Sequence, residues 1–260
     1  MTRVRILQLT DLHLLAAPEA RLKNVATRYF LERVLGHIKQ SGEHFDHVVV
    51  TGDHTHDELP ASYDAVDSLL KPWSDRLWQV PGNHDDRRVM RQVYSGRFSG
   101  RNQDLIQFHF QAGAWCCIGL DTHVPGSVAG HISRDQIRWA RELANRPGVE
   151  SVALFFHHPP VLMGSVWMDK IGLDGKEQLQ AWCCQDPRVR LICCGHVHHA
   201  SETMVGAASV VTTPSTGIQF SRAGATPTFV AAAPGYRIIE LDDRGFRTEV
   251  RRIREISIPE

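Results

Sequence analysis

The chain has 260 residues, a formal net charge of zero and 42% hydrophobic residues. This length is enough for one large domain with a substantial core. A neutral chain has no surplus of basic residues to neutralise phosphates, so we expect no nucleic-acid partner. No apolar run approaches the length of a transmembrane helix, so we expect no membrane partner either.

Helices and strands alternate through most of the sequence. Hydrophobic periodicity predicts, in order, strand 4–10, helix 24–40, strand 47–51, helix 60–71, strand 76–80, helix 86–94, strands 105–110 and 114–120, helix 134–145, strand 151–156, helix 175–184 and strand 190–194. The last part of the chain is rich in strands, which are predicted at 208–213, 235–242 and 246–253.

This order predicts an α/β fold with two packed mixed β-sheets flanked by helices. The sequence contains no internal repeat, low-complexity tract or linker, so we expect one domain over residues 1–260. The β-rich part from about residue 200 to 260 is expected in the second sheet.

The six cysteines form three adjacent pairs, and none has Cys-x-x-Cys spacing. Neighbouring residues of a strand point to opposite faces, so such a pair rarely forms a disulfide. We therefore expect buried, reduced cysteines. The chain starts directly with a predicted strand and lacks the apolar region of a signal peptide, which with the cysteines predicts a cytoplasmic protein.

Metal-binding side chains recur in five short segments. Three of these segments directly follow apolar, β-branched runs, and strand ends are where α/β folds build their sites. Within two of the segments the donors are two residues apart, so both would project to one face if the extended geometry of the strand persists. The donors are Asp11, His13, Asp53, Asn83, His157, His196 and His198.

Carboxylates, imidazoles and one amide, with no thiolate, suit borderline divalent ions such as Mn, Fe, Co or Zn. Seven donors are too many for one tetrahedral ion with an open position. Two ions that share a bridging carboxylate account for all of them. Such a centre is typical of enzymes that transfer phosphoryl groups.

The motifs Asp-x-His, Gly-Asp, Gly-Asn-His-Asp, His-His-Pro-Pro and Gly-His-x-His, in this order, resemble the calcineurin-like metallophosphoesterase superfamily. Gly-Asn-His-Asp with His-His-Pro-Pro is similar to the class III cyclic nucleotide phosphodiesterases. Segments 4–11, 213–220 and 233–237 further resemble the bacterial phosphodiesterases of 3′,5′-cyclic AMP. The resemblance implies a four-layer α/β/β/α sandwich and two divalent metal ions (Fe, Mn, Zn or Co) as cofactors.

The resemblance also implies which donors share an ion. The first ion is expected on Asp11, His13 and His198. The second is expected on Asn83, His157 and His196, and Asp53 would bridge both ions.

Two catalytic residues are expected beside these ligands. His84 matches a histidine that contacts the phosphate, and Asp85 would orient the His84 ring. His54 and His56 depart from the residues common in the family, and they are either surface histidines or substrate contacts.

The nucleoside end of the site is predicted from residues near the C-terminal end. Phe220 or Tyr236 would stack on adenine, although both are equally compatible with core positions, and Arg222 would approach the phosphate. The expected substrate contacts are His84, Asn83, His56, Phe220 and Arg222.

The expected function is hydrolysis of 3′,5′-cyclic AMP to 5′-AMP by a hydroxide held between the two ions, with His84 aiding the leaving group. The alternatives are a broader phosphodiesterase for 2′,3′-cyclic nucleotides or glycerophosphodiesters and, more remotely, a non-catalytic scaffold. Asp57-Glu58-Leu59 stands where serine/threonine phosphatases carry Asp-Arg-Gly, which argues against that branch. The resemblance is also consistent with a homodimer.

Overall fold

Short strands alternate with amphipathic helices along most of the chain. The computed structural model describes residues 3–94, 96–98 and 104–253. The α-helices of this part are α1 Thr27–Gln40, α2 Pro60–Leu70, α3 Arg87–Val93, α4 Arg134–Ala144 and α5 Lys176–Gln185. The strands are β1 Val4–Leu9, β2 His47–Thr51, β3 Leu77–Val80, β4 Phe108–Ala112, β5 Trp115–Gly119, β6 Gly130–His131, β7 Ser151–Phe155, β8 Leu173–Asp174, β9 Val189–Cys194, β10 Ser201–Val205, β11 Ala208–Thr212, β12 Gln219–Phe220, β13 Phe229–Val230, β14 Gly235–Asp242 and β15 Gly245–Arg252.

Two large mixed sheets organise these elements. The first sheet has the strand order β15-β14-β1-β2-β3, in which β1, β2 and β3 are parallel. The second sheet has the order β10-β11-β9-β7-β5-β4, in which β11, β9, β7 and β5 are parallel. The predicted mixed sheets are confirmed.

The sheets pack face to face, and helices cover their outer faces. Ile6 and Val49 of the first sheet pack in one buried cluster with Phe155 and Leu191 of the second. Another cluster joins the outer face of the first sheet to α1, α2 and α3, and a further one joins the second sheet to α4 and α5. The result is the predicted four-layer α/β/β/α sandwich. Burial of each large apolar side chain contributes about 1.5–3 kcal/mol to such a core.

The C-terminal part does not join the second sheet as a whole, which corrects the expectation for residues 200–260. Strands β10 and β11 extend the second sheet, whereas β14 pairs antiparallel with β1 and brings β15 into the first sheet. The hydrophobic pattern identifies a strand but not its partner. Partner choice is decided by long-range packing, which no local pattern contains.

The cysteines are free and mostly buried. Five of them lie in the core, as expected, but Cys184 on α5 is exposed. Within the described part of the chain, no helix is long and apolar enough to cross a membrane.

Candidate metal centre

One donor cluster is formed by loops that follow β1, β2 and β9. Asp11, His13, Asp53 and His198 are buried, and their donor atoms all lie within 4.8 Å of one another. His13 Nε2 lies 3.1 Å from His198 Nε2 and 3.4 Å from Asp53 Oδ2. His198 Nε2 lies 3.2 Å from Asp11 Oδ1. The sequence-predicted ligands of the first ion therefore lie together.

A second donor cluster lies directly beside the first. Asn83 Oδ1 lies 2.9 Å from His196 Nδ1 and 3.2 Å from His157 Nε2. His157 Nε2 is also 3.3 Å from Asp53 Oδ2, the same oxygen that faces His13. Asp53 thus lies between the two clusters, in the position that a carboxylate bridging two ions would occupy. The assignment of each ligand to one ion stays a prediction.

Backbone carbonyls fix the orientation of three of the histidine rings. Nδ1 of His157 donates to Thr51 O at 2.8 Å, and Nε2 of His196 donates to Ile171 O at 2.9 Å. Nδ1 of His198 donates to Ile218 O at 2.6 Å. The nitrogen that remains on each ring points to the cluster. Such outer hydrogen bonds set the tautomer of metal-binding histidines.

The donor set fits divalent cations. Because Nε2 of His196 is the donor to Ile171, its Nδ1 carries a lone pair, and this lone pair faces Asn83 Oδ1 at 2.9 Å. Two acceptors at this distance repel each other unless a positive charge lies between them. Buried carboxylates, imidazoles and an amide oxygen are also the ligands of Mn, Fe, Co and Zn.

The backbone at five of the ligands is left-handed rather than extended. Asp11, His13, Asp53, His196 and His198 have φ values of 54°, 47°, 52°, 71° and 49°. The extended geometry that would place donors two apart on one face therefore does not persist beyond the strand ends. Hydrogen bonds between loops hold the conformation, since the N–H groups of Asp11 and His13 donate to the carbonyls of Gly52 and Asp53. Strain of this kind is typical of functional sites.

The pKa values of three buried histidines are shifted in different directions. Burial lowers the pKa of His13 and of His196 to about 3, so both rings are neutral at neutral pH and keep a lone pair for a cation. Burial also opposes a charge on His157, but the carboxylates of Asp53 and Asp11 raise its pKa to about 9. Because a metal needs an unprotonated nitrogen, a cation that binds His157 releases its proton.

Asp85 does not orient His84, which corrects a sequence expectation. Its carboxylate accepts hydrogen bonds from Nδ1 of His54 at 3.0 Å, from the N–H of Gly82 at 2.9 Å and from the hydroxyl of Tyr63 at 3.1 Å. His54 is fully buried, so the surface interpretation of this residue is wrong as well. The sequence signal was the pair of unusual histidines after Asp53, but the partner of His54 lies more than thirty residues away.

His84 and His56 lie at the open side of the two clusters. The His84 ring centroid is 5.2 Å from that of His13 and 4.5 Å from that of His56. The backbone N–H of His84 donates to Asp53 Oδ1 at 2.8 Å, which ties this histidine to the central carboxylate. Both rings line the same cavity as the metal donors.

The cavity above the donors has a volume of about 200 Å³. Phe220 lines it, with its ring centroid 4.4 Å from that of His198, and its contact with a base stays a prediction. Arg222 is absent from the described lining and turns its guanidinium to the carbonyl of Met163. Tyr236 lies in the core, where its hydroxyl is 3.0 Å from Nδ1 of His37.

Among the lining residues that sequence reasoning missed are Lys23, Trp167 and Phe229. They come from loops and from a two-residue strand, where hydrophobic periodicity carries little information. It also missed the carbonyls that orient the histidines, because any residue type supplies a carbonyl.

The sequence comparisons identify relatives along almost the whole chain. Residues 4–200 match the model of the calcineurin-like phosphoesterase family. The 3′,5′-cyclic adenosine monophosphate phosphodiesterase CpdA of Pseudomonas aeruginosa is 32% identical over 97% of this chain and 91% of its own. CpdA of Escherichia coli K12 is 31% identical over 96% of this chain and 90% of its own. A Nostoc 3′,5′-cyclic-nucleotide phosphodiesterase is 29% identical over 96% and 92%.

Solved structures of low sequence identity share the fold. A dimetal phosphatase from Danio rerio has a TM-score of 0.67 and 15% identity, covering 95% of this chain and 98% of its own. GAP50, the anchor in the inner membrane complex of Plasmodium, has a TM-score of 0.62 and 14% identity, with 97% and 85% covered. The fold, the donor clusters and the match over residues 4–200 agree, and the chain belongs to the calcineurin-like phosphoesterase family.

Proposed function

We propose that this protein is a binuclear metal-dependent phosphodiesterase that hydrolyses 3′,5′-cyclic AMP to 5′-AMP. The observation that carries the proposal is the pair of donor clusters joined at Asp53, with His84 at their open side. The named activity of the relatives over nearly the full chain supports the choice of substrate.

The seven donors would hold two divalent ions, as the sequence predicts. When bound, these ions neutralise phosphate oxygens and lower the pKa of water towards neutrality. The carbonyls of Thr51, Ile171 and Ile218 keep the histidine rings in place for this task.

His84 would act on the substrate directly. Its ring lies in the cavity lining, next to but outside the two donor clusters that meet at Asp53. An imidazole there is able to donate a hydrogen bond to a phosphate oxygen and to protonate the departing 3′ oxygen of the ribose. The hydrogen bond from the backbone N–H of His84 to Asp53 fixes the backbone position from which this ring would reach the phosphate.

The apolar side of the cavity would limit access of bulk water. Trp167, Phe220 and Ile218 line this side and leave the polar groups concentrated at the metal end. Exclusion of water strengthens the electrostatic contacts to the phosphate.

A substrate panel tests the proposal. Turnover of 3′,5′-cyclic AMP, 2′,3′-cyclic AMP, glycerophosphocholine and bis-p-nitrophenyl phosphate is measured with Mn, Fe, Co and Zn. The proposed function predicts the highest kcat/KM with 3′,5′-cyclic AMP and loss of turnover after chelation. A higher kcat/KM with a 2′,3′-cyclic nucleotide or a glycerophosphodiester would replace it with the broader phosphodiesterase. A protein that binds no metal and hydrolyses none of the four would be a scaffold.

A further inference from the structure

Three aromatic side chains form a continuous wall on one side of the metal cavity. We call Trp167, Phe220 and Phe229 the aromatic wall; all three line the cavity. Phe220 lies between the other two, with ring centroids 5.3 Å from Trp167 and 5.2 Å from Phe229. Because Phe220 also reaches to 4.4 Å from the His198 ring, the wall begins directly at the metal donors.

Hydrogen bonds hold the wall together, although it is built from a loop and a hairpin of two-residue strands. Phe220 and Phe229 are paired residues of the β12-β13 hairpin. The indole Nε1 of Trp167 donates to Ser221 O at 3.1 Å, which fixes the preceding loop to this hairpin. Trp167 is buried, whereas 42% of Phe229 is exposed. A large apolar ring held open at a cavity mouth offers a surface for a planar ligand.

A tight turn contributes a cation to the same cavity. Leu22 and Val25 exchange two backbone hydrogen bonds of 2.9 Å, and Lys23 and Asn24 between them have φ values of 49° and 67°. Lys23 at this turn lines the cavity with the metal donors and Phe229. An ammonium group in this place suits the negative charge of a phosphate diester.

The polar side chains of the cavity, apart from Lys23, lie at its metal end, where the wall begins. Apart from Lys23, the polar residues of the described lining are the metal donors with His56 and His84. Trp167 has already used its indole N–H, and the remaining residues of the described lining of this cavity, such as Val128 and Ile218, are apolar. No side chain of the described wall therefore offers a hydrogen bond to the edge of a base.

We propose that the aromatic wall binds the purine base of a cyclic nucleotide by stacking, with little discrimination between adenine and guanine. This inference rests on the proposed function and specifies its substrate class as purine 3′,5′-cyclic nucleotides. Strong discrimination between similar ligands requires polar groups that are left unpaired by the wrong one, and an apolar wall provides only small differences. Stacking tolerates different bases because every base has a π-face.

The first experiment measures kcat and KM of the metal-loaded enzyme with cyclic AMP, cyclic GMP and abasic ribose 3′,5′-cyclic phosphate. The expected kcat/KM values for the two purine nucleotides lie within about tenfold of each other, as for pockets without base-specific hydrogen bonds. A preference above about a hundredfold for one purine would overturn the lack of discrimination.

The second experiment removes one ring of the wall. Phe229→Ala is expected to raise KM for both purine nucleotides about tenfold with little change of kcat, since stacking on an aromatic ring contributes to binding of the base. KM for the abasic phosphate should not change with the substitution. Phe229→Tyr keeps a ring and should behave as the wild type. The inference fails if Phe229→Ala leaves KM for the purine nucleotides unchanged or raises it equally for the abasic phosphate.

Val230→Ala is the matched control, because Val230 is 41% exposed, follows Phe229 directly and is not part of the described cavity lining. Its KM should stay at the wild-type value. Calorimetric binding of 5′-AMP and ribose 5-phosphate separates this inference from the proposed function. If no cyclic nucleotide is hydrolysed, the proposed function fails, whereas the base site stands if Phe229→Ala weakens binding of 5′-AMP alone. If the wild type and Phe229→Ala bind 5′-AMP equally well, the base site is overturned.

Discussion

Asp53 is the residue on which both donor clusters depend. Its Oδ2 faces His13 at 3.4 Å and His157 at 3.3 Å, while its Oδ1 accepts the N–H of His84. Burial disfavours its charged form, but the charge on His157 holds the pKa of the carboxyl well below its usual range. A charged carboxylate is thus maintained where two cations would meet.

Asp53→Asn should reduce both metal content and turnover. The amide keeps the shape of the side chain but removes the charge that two ions would share, so we expect fewer than two ions per chain and at least about a hundredfold lower kcat. Elemental analysis and steady-state kinetics measure the two effects. Asp64→Asn on the exposed side of α2 is the control. A variant that retains two ions would contradict the bridging role.

His84 should influence turnover without affecting metal content. Removal of a positioned proton donor costs about 10²- to 10⁴-fold in rate. We therefore expect His84→Ala to lower kcat at least about a hundredfold while both ions remain bound. The measurement is kcat with cyclic AMP alongside elemental analysis of the same sample. Full turnover with both ions in place would exclude the proposed role.

At the scale of elements, the structure depends on glycines that let loops approach each other. Gly52 has a φ of 96°, and a Cβ there would lie 2.5 Å from His157 Nδ1 and 2.6 Å from the Gly82 nitrogen. In contrast, a Cβ on Gly36 in α1 would meet nothing within 4 Å. The same substitution at the two positions therefore has opposite effects.

Gly36→Ala should raise the free energy of unfolding by about 0.5–1 kcal/mol, because alanine loses less backbone entropy in a helix. Gly52→Ala should lower it by at least about 2 kcal/mol, because its Cβ collides with neighbouring loops in a backbone conformation unfavourable for alanine. Urea denaturation of the two variants and the wild type measures both changes. A Gly52→Ala protein of wild-type stability and activity would show that these loops are not tightly constrained.

The helices, the strands and the donor residues were largely predictable from the sequence, because local sequence patterns identify them. Apolar runs identify β1, β2 and β7, and the chemistry of Asp, His and Asn identifies the donors that follow them. The backbone at these donors was not predictable. Its left-handed conformation is held by bonds such as Asp11 N to Gly52 O, which join loops distant in sequence.

The aromatic wall at the far side of the cavity was not predictable from the sequence either. Residues 221–234 are rich in alanine, threonine and proline, and their periodicity predicts no strand. Phe229 reaches the cavity because the chain pairs with Phe220 and because Trp167 is fixed to Ser221. These are tertiary contacts, and they decide the part of the site that would recognise the nucleoside.

At the scale of the whole molecule, the two donor clusters are built from loops of both sheets. The loops after β1, β2 and β3 of the first sheet carry Asp11, Asp53 and Asn83, whereas those after β7 and β9 of the second sheet carry His157 and His196. Cations that bind these donors would connect one sheet to the other. The unfolded chain brings no such set together, so metal binding favours the folded state.

Metal removal should therefore lower thermal stability as well as abolish turnover. A ligand present at a hundred times its Kd stabilises the folded state by about 2.7 kcal/mol. Since each kcal/mol shifts the Tm of a protein of this size by about 2–4 °C, we expect chelation to lower the Tm by about 5–10 °C. Scanning calorimetry with excess Mn²⁺ and with EDTA measures the shift.

Asp53→Asn should show a smaller difference in Tm between the two conditions, because it lacks the carboxylate shared by both clusters. An identical Tm with and without EDTA, in a sample whose loss of metal is verified, would show that the ions do not connect the sheets.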